Sequence, residues 1–485
     1  MSNAILLAVD LGTTNCKAAA YSLDGSLRAS ASAAYPTLNP RDGWYEQRPD
    51  DWRRAITQAV ASVTGELGET AADIAGLCLS AWGPGLVLLG RDGQPLNDVS
   101  PTWQDVRSLE HGRRLIDEAG VEWVGGGMPL TGFPAKLAWA IDAWPEYAAV
   151  TSYAAGVKDY LLFWLTGVLA TEPSSGPYSP EWPSHVFDVI GWDTARLPPV
   201  VASTAVLGPL RDELAAELGL RPGLPVVAGV NDGAAATLGV GACRVGDAVV
   251  SLGTNGVVRL LTATPPSAEL CLSRSLFRYP VVDDVWASGG FVLTGGSALA
   301  WVAEATAAET GSTAIDALLE EAAGVPAGSD GVLFLPYLIG KGSPEPDANA
   351  TAAFLGLRLQ HGRGHLVRAV LEGVAFGVRD IVEELRAQGL EPGRLFVTGG
   401  GAASPLWRSI FADVLDMPAR HATGDSTLGS AIVLAAGLGL ARDVQHAVAE
   451  LGGGESTTAP TAATVDSYAA AYRAYRAAAS LTGAA

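Results

Sequence analysis

Two short turns of the same kind lie half a chain apart, each between two apolar stretches. Asp10-Leu-Gly-Thr-Thr14 follows the apolar run that starts at Ile5, and Leu252-Gly-Thr-Asn-Gly256 follows the run that starts at Ala248. Backbone N–H groups of a glycine-containing turn can face phosphate oxygens, and threonine hydroxyls add further donors. One such turn alone would be an ordinary hairpin, but the pair predicts a nucleoside triphosphate held from two sides.

These two turns also supply candidate metal and phosphate ligands. Asp10 ends the first predicted strand and can hold a magnesium ion or its waters. Lys17, in the returning strand, can bring positive charge toward a transferring phosphoryl group. The predicted phosphate contacts are Gly12, Thr13, Thr14, Gly253 and Thr254.

An acid in the middle of the chain is the candidate catalytic base. Asp232 follows the strand predicted over residues 225–229 and precedes a run of small residues. A hydroxyl that attacks phosphorus needs a positioned acceptor for its proton, and a carboxylate can serve in a loose transition state. We expect Asp232 to act as this base and to join Asp10 as a metal ligand. The alternative for a lone acid at this place is a helix N-cap.

A third turn is rich in glycine. Residues 395–407 read as a strand, the turn Gly399-Gly400-Gly401 and a helix start, with Ser404 as N-cap and Pro405 at the first helical position. Glycines allow a flat ligand to approach the backbone closely. The three glycines are therefore candidate nucleotide contacts, and the alternative is a tight turn without a ligand.

The elements that must position these residues form two similar halves. The repeated Leu-Gly-Thr between strands favours an internal duplication, and Gly- and Pro-rich stretches predict a boundary near residue 243. We predict an N-terminal domain over 1–243, which carries Asp232, and a C-terminal domain over 244–485. Helices predicted near 161–165, 366–385 and 468–479 flank the strands, which indicates an α/β fold.

Composition excludes several classes of partner. The 485 residues suffice for two domains, and the formal charge of −20 opposes binding to nucleic acid or anionic membranes. The four cysteines form no Cys-x-x-Cys pair, and the N-terminus lacks the features of a secretory signal, so we expect a cytoplasmic protein. A homodimer is left open.

Two further patterns are interpreted as structural. The uncharged run over 427–440 is shorter than the ~20 residues of a membrane-spanning helix and predicts a buried helix. His361 and His365 have a spacing that can bind metal on a helix, but Gly362 and Gly364 interrupt any helix there. We therefore expect a turn and a helix cap at the two histidines.

With these residues in place, the chain resembles the FGGY carbohydrate kinase family over nearly its whole length. The resemblance includes the turns at Asp10 and Leu252, Asp232 and the glycine turn that follows Thr398. The other matching segments are Gly43-Trp-Tyr-Glu-Gln-Arg-Pro-Asp-Asp-Trp52, Trp103-Gln-Asp-Val-Arg107, Lys158-Asp-Tyr160, Phe334-Leu-Pro-Tyr-Leu338 and His365-Leu-Val-Arg-Ala-Val-Leu-Glu372.

The resemblance implies both a fold and a reaction. The fold would be two actin/hexokinase-like (ribonuclease H-like) domains with a catalytic cleft between them. The reaction would be transfer of the γ-phosphate of ATP, with Mg²⁺, to a hydroxyl of a small carbohydrate. Asp232 would be the base, Asp10 would bind magnesium, and Gly400 and Gly401 would flank the nucleoside.

The sugar itself is read, in this family, by the loop after the strand over residues 77–80, which is here Ala81-Trp-Gly-Pro-Gly85. Xylulose and gluconate kinases usually carry Met-His at the positions of Gly83 and Pro84, and glycerol kinases carry Arg-Glu. Candidate substrate contacts are Trp82, Trp103 and Asp105, because aromatic faces cover C–H groups and a carboxylate accepts hydroxyl bonds.

A pentulose, as in xylulose kinases, is the first candidate substrate, and gluconate or a tetritol is the alternative. Asp232-Gly-Ala and Gly253-Thr-Asn-Gly-Val-Val-Arg resemble gluconate kinases, whereas the 43–52 segment and Lys158-Asp-Tyr resemble xylulose kinases as well. An alternative of another class is an actin-like nucleotide switch or chaperone ATPase without a small substrate.

Overall fold

Each half of the chain is built around one mixed β-sheet. The computed structural model describes residues 3–121, 123, 125, 129–307, 315–452 and 455–480. The strands of the first half are β1 (Ile5–Leu11), β2 (Asn15–Ser22), β3 (Leu27–Ala34), β4 (Glu46–Gln47), β5 (Ile74–Ala81), β6 (Val87–Leu89), β7 (Ser100–Pro101), β8 (Tyr153–Ala155), β9 (Val206–Pro209) and β10 (Pro225–Val227). Its helices are α1 (Pro49–Leu67), α2 (Leu109–Ala119), α3 (Phe133–Ala143), α4 (Pro145–Val150), α5 (Val157–Thr166), α6 (Ser184–Ile190), α7 (Asp212–Leu218) and α8 (Asp232–Gly239).

The second half begins with a strand and ends with a long helix. Its strands are β11 (Asp247–Leu252), β12 (Gly256–Thr262), β13 (Phe277–Val282), β14 (Val285–Val292), β15 (Leu333–Leu335), β16 (Ala353–Leu355), β17 (Arg394–Thr398), β18 (Ala419–Ala422) and β19 (Glu455–Thr458). Its helices are α9 (Ala268–Arg274), α10 (Gly296–Ala305), α11 (Ile315–Ala323), α12 (Arg363–Ala387), α13 (Pro405–Leu415), α14 (Ser426–Gly437), α15 (Val444–Leu451) and α16 (Ala462–Ala479).

The two main sheets share the topology of their central strands. The first has the order β3-β2-β1-β5-β10-β9, and the second has β13-β14-β12-β11-β17-β18-β19. In each sheet a central strand pairs antiparallel with the strand that follows it and parallel with a later one: β1 with β2 and β5, and β11 with β12 and β17. The prediction that both halves use one domain type is therefore confirmed at the level of strand order and direction.

Helices α8 and α14 pack against each other where the two halves meet. Gly429 of α14 lies so close to α8 that a Cβ atom there would be 1.8 Å from the carbonyl oxygen of Ala235. Helix α14 also packs on β1 and β5 of the first half. The N-termini of both helices are thereby held near the end of β1, which carries Asp10.

Most predicted elements are present, although their bounds differ from those predicted. The helices predicted near 161–165, 366–385 and 468–479 are α5, α12 and α16, and the buried helix over 427–440 is α14. The strand predicted over 225–229 ends at Val227. The next amides, of Ala228 and Gly229, donate to the carbonyls of Ala205 and Ser203 instead of extending β10.

The histidine pair is structural, as predicted. His365 Nδ1 accepts the N–H of Gly362 at the start of α12 (3.1 Å), and His361 Nδ1 accepts the N–H of Arg358 (3.0 Å). The four cysteines are buried and free. Within the described part of the chain, no helix combines the length and apolar character needed to cross a bilayer.

Candidate functional site

A cavity of about 220 Å³ lies between the two halves of the chain. It brings together Thr13 of the first turn, Asn255 of the second turn and Asp232. Its walls combine aromatic faces, which suit C–H groups, with a few polar groups, which suit hydroxyls. Other lining residues include Trp82, Gly83, Trp103, Lys158, Asp159, Ser174, Tyr178, Arg259, Tyr279 and Phe291.

Asp232 is the first residue of α8 and not its N-cap. Asn231 is the cap, since its side-chain oxygen accepts the N–H of Ala234 at 2.7 Å, so the N-cap alternative for Asp232 is wrong. Burial raises the pKa of Asp232 to about 7, the charge of Asp10 acts in the same direction, and Arg259 opposes them. A carboxyl group with this pKa can accept a proton near neutral pH.

Asp10 is held by residues from both halves. One carboxylate oxygen accepts the hydroxyl of Ser80 on β5, and the other accepts the hydroxyl of Ser426 on α14, each at 2.6 Å. Burial raises the pKa of Asp10, and these two hydrogen bonds partly offset that effect. Asp10 and Asp232 are thus two partly buried carboxylates near the meeting of the halves, and the charge of Asp10 raises the pKa of Asp232.

Lys17 forms an ion pair across the two halves. Its ammonium contacts the carboxylate of Asp425, and the two side chains are 37% and 40% exposed. Asp425 is also the N-cap of α14, accepting the N–H groups of Thr427 (3.0 Å) and Leu428 (3.2 Å). The lysine predicted to face a phosphoryl group is therefore already neutralised in part by a carboxylate from the other half.

Each of the two glycine–threonine turns is closed by a backbone hydrogen bond from its glycine, although the first turn is one residue longer than the second. The N–H of Gly12 donates to the carbonyl of Asn15, and the N–H of Gly253 donates to that of Asn255, both at 3.0 Å. Thr14, Gly253 and Thr254 are exposed at the turns. Thr13 lines the cavity, and its hydroxyl accepts the indole N–H of Trp103 at 3.0 Å. Both turns thus leave polar groups open to a ligand.

Of the three predicted sugar contacts, Trp82 and Trp103 line the cavity but Asp105 does not. Asp105 is fully buried, and its carboxylate accepts the N–H of Tyr45 (2.8 Å) and pairs with Arg107 (2.7 Å). Arg107 in turn lies over the ring of Trp44, 3.8 Å from its centroid. The structure therefore corrects the expected role of Asp105: its oxygens are used to anchor the arginine.

The three glycines after β17 lie next to the second turn, outside the cavity. Gly399 has φ +88°, and a Cβ atom there would be 2.6 Å from the carbonyl oxygen of Leu252. Gly401 is restricted by Trp407, whose ring would lie 2.7 Å from a Cβ. A Cβ on Gly400 would meet no atom within 4 Å. Packing thus accounts for Gly399 and Gly401, and Gly400 faces open space.

Arg259 and Tyr279 are cavity residues to which the sequence analysis assigned no role. Arg259 Nε donates to the hydroxyl of Tyr279 (2.8 Å), and its Nη1 donates to the hydroxyl of Ser251 (3.2 Å). It forms no ion pair with any carboxylate among the described residues. The available signal was a lone charge in the apolar strand β12, Gly-Val-Val-Arg-Leu-Leu-Thr.

Among the described residues, no group of three or more histidine, cysteine, aspartate or glutamate side chains is arranged to hold a metal ion by itself. Asp10 and Asp232 are two hard oxygen donors near the two turns. Such a pair fits magnesium, which keeps several waters and binds through one or two carboxylates together with substrate phosphates.

Comparison with known proteins gives matches over most of the chain. The model of the FGGY family of carbohydrate kinases, N-terminal domain, matches residues 5–239, and that of the C-terminal domain matches residues 248–438. The xylulose kinase of Lactococcus lactis is 30% identical over 450 residues, covering 90% of this chain and 88% of that protein.

Two other similar proteins are a gluconokinase and a second xylulose kinase. The gluconokinase of Bacillus subtilis is 28% identical over 433 residues, covering 85% of this chain and 83% of that protein. The crystal structure of xylulose kinase from Rhodospirillum rubrum superposes with a TM-score of 0.88 at 31% identity, covering 98% of each chain.

Proposed function

The chain belongs to the FGGY family of carbohydrate kinases, with that family's two-domain actin/hexokinase-like fold, and it is a phosphotransferase with an alcohol acceptor. From this premise we propose that it transfers the γ-phosphate of ATP to one hydroxyl of a small carbohydrate bound in the cavity beside Asp232. The observation that carries the proposal is the meeting of Thr13, Asn255 and Asp232 around one cavity.

In the proposed reaction Asp232 is the general base. The substrate hydroxyl gives its proton to the Asp232 carboxylate as its oxygen attacks the γ-phosphorus, and ADP leaves with the bridging oxygen. The pKa of about 7 supports this role, because the group can hold the proton during transfer and release it to water afterwards. Thr13, Thr14 and Thr254 would bind the phosphates with their hydroxyls and backbone N–H groups, and Gly12 and Gly253 would let the phosphates approach the turns closely.

Asp10 and Asp232 would hold the magnesium ion that accompanies ATP. When bound, this ion offsets negative charge on the phosphate oxygens. Lys17 would face the same phosphates when its contact with Asp425 opens to solvent. Gly399, Gly400 and Gly401 would border the nucleoside, with Gly400 offering the open approach.

We place the boundary between the two domains near residue 243. The N-terminal domain, 1–243, would bind the sugar, and the C-terminal domain, 244–485, would bind the nucleotide. The gap between the two family matches, residues 240–247, is consistent with this division. The cavity draws on both domains, so sugar and nucleotide together would draw the lobes closer and exclude water from the reaction.

A pentulose is the first candidate substrate, since the xylulose kinase of Lactococcus lactis is similar over most of the chain. Trp82 and Trp103 would cover the C–H faces of the sugar. A sugar acid such as gluconate is the second candidate, and Arg259 favours it: a guanidinium in the cavity wall, bonded to neutral hydroxyls, suits a carboxylate.

A substrate panel with a coupled assay of ADP release tests this proposal. D-xylulose, D-ribulose, D-gluconate, erythritol and glycerol would each be compared with the basal ATPase rate. Stimulation by at least one of them is expected, and no stimulation by any would favour an actin-like ATPase without a small substrate. Arg259→Gln is expected to lower kcat/KM about a hundredfold for a sugar acid and little for a neutral sugar.

Asp232→Asn tests the base. We expect loss of sugar phosphorylation by about a thousandfold or more with ATP binding retained, measured by calorimetry. Full turnover in this variant would remove Asp232 from the mechanism.

A further inference from the structure

The loop that leads to Asp232 is fixed by a buried polar network that no comparison assigns. We propose that Glu172 is a positioning residue for the reaction: it acts through Ser174, Ser203 and Lys158 to hold residues 228–231, and through them Asp232. The inference rests on the proposed function, because it takes Asp232 to be the reacting carboxylate. Glu172 itself is fully buried and does not line the cavity.

Each neighbour of Glu172 in this network also contacts the loop. The Ser174 hydroxyl donates to Glu172 (2.8 Å) and accepts the N–H of Asn231 (2.8 Å), and its carbonyl accepts the side-chain amide of Asn231 (2.7 Å). Asn231 caps α8, whose first residue is Asp232. Ser174 therefore fixes the position of both the backbone and the side chain of Asn231, the residue before Asp232.

Two more contacts hold the start of the loop. Lys158, buried beside Glu172 at 3.4 Å, donates to the carbonyl of Ala228 at 2.9 Å. Ser203 donates its hydroxyl to Glu172 (3.3 Å), and its carbonyl accepts the N–H of Gly229 (2.9 Å). The Glu172 carboxylate thus holds both ends of the loop over residues 228–231 through these neighbours.

This arrangement costs free energy that a plain turn would not require. A buried carboxylate and a buried ammonium must be taken out of water, and such pairs are often no better for stability than apolar residues of the same volume. What the network adds is geometry. Apart from it, the loop that leaves β10 after Val227 is held by the backbone bonds of Ala228 and Gly229 to Ala205 and Ser203 and by the bridge of Asn231 to Ala81. Since displacements near 1 Å at a reacting group can lower turnover about a hundredfold, a rigid loop is the expected benefit.

The test compares Glu172→Gln and Ser174→Ala with a matched control. Glu372→Gln is the control. Glu372 is also a buried carboxylate that pairs with Arg368 (2.8 Å) and accepts the hydroxyls of Ser329 and Tyr468. It lies in the core of the second half, away from the loop. We expect Glu172→Gln and Ser174→Ala to lower kcat by about tenfold to a hundredfold. The KM for ATP should stay within about twofold, and Glu372→Gln should lower the melting temperature without this loss of kcat.

Amide hydrogen exchange supplies a readout that needs no turnover. In Glu172→Gln and Ser174→Ala, exchange in peptides covering residues 228–234 should speed up at least about fivefold, and Glu372→Gln should leave it unchanged. Unchanged exchange with kcat within twofold of the parent in both variants would overturn the proposal, as would an equal loss of kcat in Glu372→Gln. If the parent phosphorylates no sugar, the proposed function fails and the exchange data alone decide whether Glu172 holds the loop.

Discussion

Replacing Asp232 with asparagine is expected to stabilise the protein while it removes turnover. Burial and the charge of Asp10 raise the pKa of Asp232 from 3.8 to about 7. At pH 8 the folded protein therefore carries an unfavourable buried charge. Asparagine has the same shape without the charge, and its side-chain oxygen can still accept the N–H of Gly233, which now bonds to Asp232 at 2.7 Å.

The size of the effect follows from the difference between the two pKa values. For a fully buried group, this difference in pKa corresponds to a loss of at most about 4 kcal/mol of unfolding free energy at pH 8. Because solvent reaches part of the Asp232 side chain, we expect Asp232→Asn to regain roughly 1–3 kcal/mol. The folded pKa lies above the unfolded one, so the folded state binds the proton more tightly. Stability of the parent therefore falls as pH rises from about 4 to about 7, and the advantage of Asp232→Asn grows over the same range.

Urea unfolding of parent and variant at pH 8 and pH 5 measures this advantage. Asp117→Asn is the control, because Asp117 is exposed on α2 and its replacement should leave the unfolding free energy unchanged at both pH values. A variant that gains nothing at pH 8, or gains equally at pH 5 and pH 8, would refute the reasoning that burial and Asp10 destabilise the ionised carboxylate.

Three further outcomes are expected. Turnover of the parent should rise with pH through about 7 and then level off, since only ionised Asp232 accepts the proton, and a flat rate profile from pH 5 to 9 would contradict this. Lys17→Met should cost less than about 1 kcal/mol of stability, because the pair with Asp425 is partly exposed. The same variant should lower kcat/KM for ATP about tenfold, and unchanged ATP kinetics would remove Lys17 from phosphate binding. Gly399→Ala should lower the unfolding free energy by more than about 2 kcal/mol, because Gly399 has a φ of +88° and lies close to the Leu252 carbonyl. Gly400→Ala should leave the unfolding free energy unchanged, and thermal melts of the two variants test this difference.

Features that depend on neighbours in sequence could be predicted from the sequence. A few adjacent residues specify each of these features: the two glycine–threonine turns, the cap of α13 at Ser404 and the placement of Asp232 after a strand. The repeat of one such turn in each half also predicted two domains of one type and a cleft between them. These signals are local because backbone geometry at a turn or helix end depends on the residues that form it.

The partners of the charged side chains were decided by tertiary structure. Lys17 pairs with Asp425, 408 residues away, and Asp10 is bonded to Ser426, 416 residues away, only because α14 packs back onto β1. Likewise, the Asp105 carboxylate accepts the N–H of Tyr45, 60 residues away, and strand register brought Arg259 beside Tyr279. A sequence states which side chains can pair, but the approach of distant elements selects the pairs, since a contact of this kind acts over only a few ångströms.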